Sequence, residues 1–184
     1  MAHIRLVRAW SIPVGKLFGT EVRLHLTFFL LFALVVTQTY QAHISVTRGV
    51  ALFLVILGTV LVHEAARAVF RSGRRDKLQR LVLLPIGGVI LGETTDRSTE
   101  KNTTVAQEAR TSLAGPVATL MLAVLVGAAV VGIAHINIFA SPYIHSSNLP
   151  RSAVWIIAGL GLLNLIPAYP LAAGRVLRVW LADR

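Results

Sequence analysis

The chain has 184 residues, of which 55% are hydrophobic and 14% charged; 18 Lys and Arg against 8 Asp and Glu give a formal charge of +10. A soluble domain of this length cannot bury so large an apolar share, so the composition points to a membrane protein. No cysteine is present, which excludes a disulfide framework and thiolate metal ligands.

In chain order, the opening MAHIRLVRAWSIPVG lacks the apolar core of a signal peptide. Trp10 to His25 reads as two short extended pieces about a turn at Phe18-Gly19-Thr20. A first apolar run covers roughly Leu24 to Tyr40, LHLTFFLLFALVVTQTY, and a second roughly Gly49 to Phe70, GVALFLVILGTVLVHEAARAVF. Arg80 to Glu93, RLVLLPIGGVILGE, reads as two β-type pieces around Ile86-Gly87-Gly88, and Thr94 to Asn102 as a polar, mobile loop. A third run, roughly Ser112 to Ala134, has Gly115-Pro116 near its start, where proline suits an early helical position. A fourth covers roughly Ala153 to Leu171, AVWIIAGLGLLNLIPAYPL. A helical span needs about 20 residues. The expected fold class is therefore a mainly α membrane protein: about four transmembrane helices and a small membrane-associated β-sheet on the cytoplasmic side. Residues 1–184 read as a single domain with no appended PDZ-type or regulatory domain.

The basic residues orient the spans. Of the 18 Lys and Arg, only Arg48 and Arg151 fall in the connections between spans one and two and between spans three and four. The others lie in or beyond the opposite ends, so the positive-inside rule expects both termini and the long middle segment in the cytoplasm. Because the charge follows topology and forms no separate basic domain, membrane lipid is the expected partner and nucleic acid is not.

Glu64 is the only carboxylate inside the four runs, and His63 is beside it. A carboxylate at that depth is costly and is usually functional or paired. It lies seven residues before Arg71, about 10 Å along a helix. His63-Glu64 alone is as easily a chance dipeptide near a helix end. Asn164 reaches a similar depth in the fourth run, with Pro167 and Pro170 breaking the helix behind it; a hydrogen bond between helices is its plainer reading. His25 opens span one on the same side, where an interfacial histidine is equally ordinary.

Taken in order, these segments resemble the site-2 protease family of intramembrane zinc metalloproteases in its short prokaryotic form. VGKLFGTEVRLHLTF resembles the approach to the family's first helix, and LLPIGGVILGE its membrane-associated hairpin. VLVHEAARAVFRSG stands where the family has His-Glu-x-x-His, and SLAGPVATLMLA where it has Gly-Pro-x-x-Asn. NLIPAYPLAAGRVLR stands for Asn-x-x-Pro-x-x-Pro-Leu-Asp-Gly-Gly-Arg. The resemblance implies an integral protein of a prokaryotic inner or plasma membrane. It implies that zinc, in active members, is held by both motif histidines and the aspartate, with the motif glutamate activating water.

Carried over residue by residue, the first histidine is kept as His63, the base as Glu64, the Gly-Pro pair as Gly115 and Pro116, and the asparagine as Asn164. The second histidine is Arg67 and the aspartate is Ala172. The asparagine after Gly-Pro is Thr119, the first glycine of the Gly-Gly pair is Ala173, and Ala65-Ala66 replaces the family's common Leu-Gly. Catalytic zinc needs three protein ligands and an open position. Arginine has no lone pair to give, alanine gives nothing, and even with His25 the set would reach only two.

The reading is a non-catalytic homologue, with Glu64 idle and no cofactor expected, that keeps the fold and binds transmembrane or extended peptide segments. The alternatives are an active intramembrane zinc metalloprotease with unusual ligation, and a lipid-binding or transport role on the same scaffold. The hairpin residues Leu81, Val82, Ile86, Gly87, Gly88, Val89 and Ile90 are the expected place for an added strand. Arg67 lies three residues after Glu64, so the two share a helix face, and a direct charge pair is expected.

Overall fold

The computed structural model describes residues 10–17, 20–71, 80–91, 105–168 and 171–182. Strands β1 (Ser11–Leu17) and β2 (Thr20–His25) lead into helices α1 (Leu26–Gln41) and α2 (Val46–Arg71). Strands β3 (Arg80–Leu84) and β4 (Gly87–Leu91) follow, then α3 (Val105–Gly132), α4 (Leu149–Asn164) and α5 (Ala172–Ala182). The polar stretch from Thr94 to Asn102 lies outside the described residues, as do Phe18 and Gly19 of the first turn.

Both extended segments form strands, and they join into one four-stranded sheet in the order β1-β2-β3-β4. The hairpins β1–β2 and β3–β4 are antiparallel, whereas β2 and β3 pair in parallel, with Val22 opposite Leu81 and Leu24 opposite Leu83. Parallel neighbours need a long crossover, and here α1 and α2 supply it. β2 runs directly into α1: the His25 side chain caps the helix by accepting from the Thr27 N–H at 3.3 Å. Trp10, just ahead of β1, and Ile12 and Val14 on it form an exposed apolar row.

The sheet is fastened to the bundle by an apolar cluster: Val22 of β2, Leu81 and Leu83 of β3, Phe28 of α1, Val60 of α2 and Leu160 of α4. Phe53 of α2 packs edge-on against Phe28 and Phe32. The helices approach closely where side chains are small. A Cβ on Gly161 would lie 2.9 Å from Thr119 Oγ1, and one on Gly49 would lie 2.7 Å from Thr39 Oγ1.

Among the described residues the four-span expectation is met in part, and several element boundaries are corrected. Two helices, Val46–Phe70 within α2 and Val105–Gly132, are long and apolar enough to cross a membrane. The other two apolar helices, α1 and α4, have 16 residues each, short of four full-length spans. The fourth run stops at Asn164 and not at Leu171, because Pro167 lacks the N–H that continuing the helix would require. The chain then restarts as α5, which has no long apolar run to announce it. Pro116 does not open its helix. The polar stretch from Val105 continues the helix eleven residues ahead of it and brings in Glu108, which accepts from Ser112 Oγ at 2.6 Å.

Candidate functional site

The polar residues singled out in the sequence meet where α2 passes the turn of the β3–β4 hairpin. His63, Glu64 and Arg67 share one face of α2 and all three are buried, at 0%, 3% and 4% exposure. Arg67 Nη1 donates to both carboxylate oxygens of Glu64, at 3.0 and 2.9 Å. The same nitrogen lies 3.4 Å from the Gly88 carbonyl oxygen, and the Gly88 N–H donates to Glu64 Oε1 at 2.7 Å. The expected charge pair therefore exists, and β4 closes over it.

This contact needs glycine. A Cβ at Gly88 would sit 2.7 Å from the Glu64 carboxylate, and Gly87 holds a φ of +140° that side-chain-bearing residues rarely adopt. From the other side α3 presses on His63: a Cβ at Gly115 would lie 2.6 Å from His63 Nε2. His63 Nε2 is 3.9 Å from Glu64 Oε1, and neither ring nitrogen makes a hydrogen bond.

Asn164 ends α4 and reaches the hairpin turn, its Nδ2 donating to the Ile86 carbonyl at 3.1 Å and to Leu160 of its own helix at 3.0 Å. Its sequence reading as a hydrogen bond between helices is corrected: the partner across the site is the hairpin turn, and the other bond stays within its own helix. Thr119 is fully buried, but its hydroxyl turns back on α3, donating to the carbonyls of Gly115 and Pro116. Ala172 is fully buried in the first turn of α5. His25 serves as the helix cap already described and joins no metal-binding group with His63 and Glu64.

Two contributors were missed in the sequence. One is the Gly88 backbone, which no side-chain pattern announces. The other is Arg175 of α5, which lines a cavity of about 30 Å³ with Asn164, Gly87 and Gly88 and lies within electrostatic reach of His63. Its signal was present, since Gly174-Arg175 matches the end of the resembled motif. The hairpin expectation is narrowed as well. Leu81 and Val82 are buried in β3, an interior strand, so among the described residues β4 is the edge strand on this side of the sheet.

The donor set does not fit zinc. Among the described residues no three His, Cys, Asp or Glu side chains gather to hold a metal ion. At this site His63 offers ring nitrogens without a hydrogen bond, but both Glu64 oxygens are taken and a guanidinium occupies the space beside them. A cation set against that guanidinium would be repelled at contact distance.

No family model matches the chain. It is 29% identical over 175 residues to the zinc metalloprotease MJ0392 of Methanocaldococcus jannaschii, covering 95% of this chain and 47% of that protein. It is 27% identical over 188 residues to Rip3 of Mycobacterium tuberculosis, named as a zinc metalloprotease, covering 95% of this chain and 44% of the relative. The chain thus spans about half the length of the curated relatives it matches. The solved site-2 protease from Methanocaldococcus jannaschii shares the fold with a TM-score of 0.70 and 25% identity, over 95% of this chain and 73% of that one. Relatives named as zinc metalloproteases align along almost the whole chain and a solved site-2 protease shares its fold, so the comparisons support the site-2 protease family for this chain.

Proposed function

We propose that this chain is a non-catalytic member of its family: a membrane protein that keeps the protease fold and holds transmembrane or extended peptide segments without cleaving them. The observation that carries the reading is the Arg67 guanidinium bonded to both oxygens of Glu64. In the family resemblance Glu64 is the residue that activates water beside zinc. Here its lone pairs are engaged by Arg67 and Gly88, and the metal ligands are reduced to His63. Without a metal, water keeps its high pKa, and the lone Glu64 carboxylate, held by Arg67 and Gly88, has no activated water to deprotonate.

The same reading carries the four-span topology, with α1 and α4 crossing as short spans beside α2 and α3, and with both termini cytoplasmic. The charge asymmetry supports it, as does the exposed Trp10-Ile12-Val14 row, which suits a sheet lying against the bilayer. A cysteine at Ser147 should react with an impermeant thiol reagent in intact cells and one at Ser72 should not; the reverse pattern refutes the orientation.

Metal analysis of the purified protein tests the main claim. The expected result is no stoichiometric zinc and no cleavage of a transmembrane substrate. About one zinc per chain, lost on His63→Ala, would overturn it in favour of an active protease with unusual ligation. A photocrosslinker at Ile90 on β4 should capture a bound segment; capture only near Ser146 would count against peptide binding at the hairpin.

A further inference from the structure

The connection between α3 and α4, residues 133–148, is irregular and sits at the end of the bundle away from the sheet. Its large side chains face outward: Ile133, Phe139, Tyr143 and Ile144 are all at least half exposed. The loop is nonetheless held firmly. Arg151 Nε donates to the Asn137 carbonyl at 2.9 Å, Arg48 Nη1 to the Ser147 carbonyl at 2.6 Å, and Trp155 Nε1 to the Ile138 carbonyl at 2.7 Å. Ser152 Oγ accepts from the His145 N–H and donates to the His145 carbonyl, both at 2.8 Å. Phe139 and Tyr143 flank the Trp155 ring at centroid distances of 6.2 and 5.0 Å.

A pinned loop that displays apolar and aromatic side chains needs something to cover them. Three aromatics with one satisfied indole N–H, beside two arginines, have the chemistry of the membrane–water interface: apolar bodies and polar tips at headgroup depth. The irregular backbone excludes a deeper position, because unpaired peptide groups are not tolerated against lipid tails.

We propose that residues 133–148 form an interfacial anchor seated in the headgroup layer of the leaflet opposite the basic face, and that this anchor sets the depth of the buried Glu64–Arg67 site. The proposal rests on the membrane orientation given above. Two helical counts agree with it. From Arg151, bonded to the loop, to Asn164 is thirteen residues of α4, about 20 Å. In a hydrocarbon layer of about 30 Å this leaves Asn164 about 10 Å short of the far interface. Counting independently on α2, Glu64 lies seven residues, about 10 Å, before Arg71. The two residues on opposite sides of the hairpin turn therefore reach the same depth.

The chain lacks cysteine, so single spin labels test this directly. Phe139→Cys, Ile144→Cys and Ser147→Cys are labelled in vesicles of phosphatidylcholine and phosphatidylglycerol. Power saturation then compares exposure to oxygen, which partitions into lipid, with exposure to a water-soluble nickel chelate. The oxygen-to-nickel ratio should be several-fold higher at 139 and 144 than at 147, with depths at the headgroup level. Equal nickel exposure at all three positions would put the loop in water and overturn the anchor. Shielding of 139 and 144 from both reagents would make the loop a protein interface and overturn it too. Orientation fails separately: Ser147→Cys would then react with impermeant reagent only after the cells are opened, whatever the saturation depths.

Discussion

Arg67→Met removes the guanidinium and leaves a buried carboxylate with one remaining donor, the Gly88 N–H. Breaking a buried pair from one side costs about 3–5 kcal/mol. A chain of this size shifts its midpoint by about 2–4 °C per kcal/mol, so Arg67→Met should lose about 6–20 °C at pH 7. Adding Glu64→Gln should recover much of the loss at pH 7, because an amide oxygen still accepts from Gly88 and no bare charge remains. The assay is thermal unfolding in detergent of wild type, both single variants and the double variant. A coupling below about 0.5 kcal/mol would mean that the two side chains are independent, and the idea that Arg67 supplies the compensating charge would be wrong.

Arg67→His combined with Ala172→Asp should create measurable zinc affinity by calorimetry, because it returns two ligands beside His63; it need not restore cleavage, since Thr119 and Ala173 also differ from the resembled motif. Gly115→Ala should cost about 1–3 kcal/mol in thermal unfolding, because its methyl group would meet the buried His63 ring; a neutral result would mean α3 is less closely packed there. Asn164→Ala should cost about 1–3 kcal/mol by leaving the Ile86 carbonyl without its donor, and amide exchange should quicken at Gly87 and Gly88; unchanged protection would refute its role in holding the turn.

The long apolar runs made α1 through α4 legible, because few residue patterns other than a membrane helix sustain such stretches. Their ends were less so. The start of α3 is polar, so hydropathy cannot see it, while the α4 boundary was visible only through Pro167. Helix α5 follows prolines and is amphipathic, and its basic residues hide it from a search for long apolar runs. The Glu64–Arg67 pair was readable because helical spacing of three brings side chains together whatever the tertiary fold. The contact with Gly88 was not, because it is made by a peptide group brought there by a hairpin docking from a different part of the chain.

That contact bears on which part of β4 a second chain can reach. Along a strand the peptide groups of successive residues face alternate sides. The N–H of Gly88 points at Glu64 and its carbonyl faces Arg67, so both face away from β3. By the same alternation the next residue of β4 to present both groups outward is Ile90. A visiting segment laid along this edge therefore finds its first rung already occupied by the protein's own side chains. If a strand adds at this edge as proposed, it would pair beside Ile90 but could not zip inward past Gly88 unless Glu64 and Arg67 let go. On that reading the ion pair would act as a doorstop that keeps the innermost position closed.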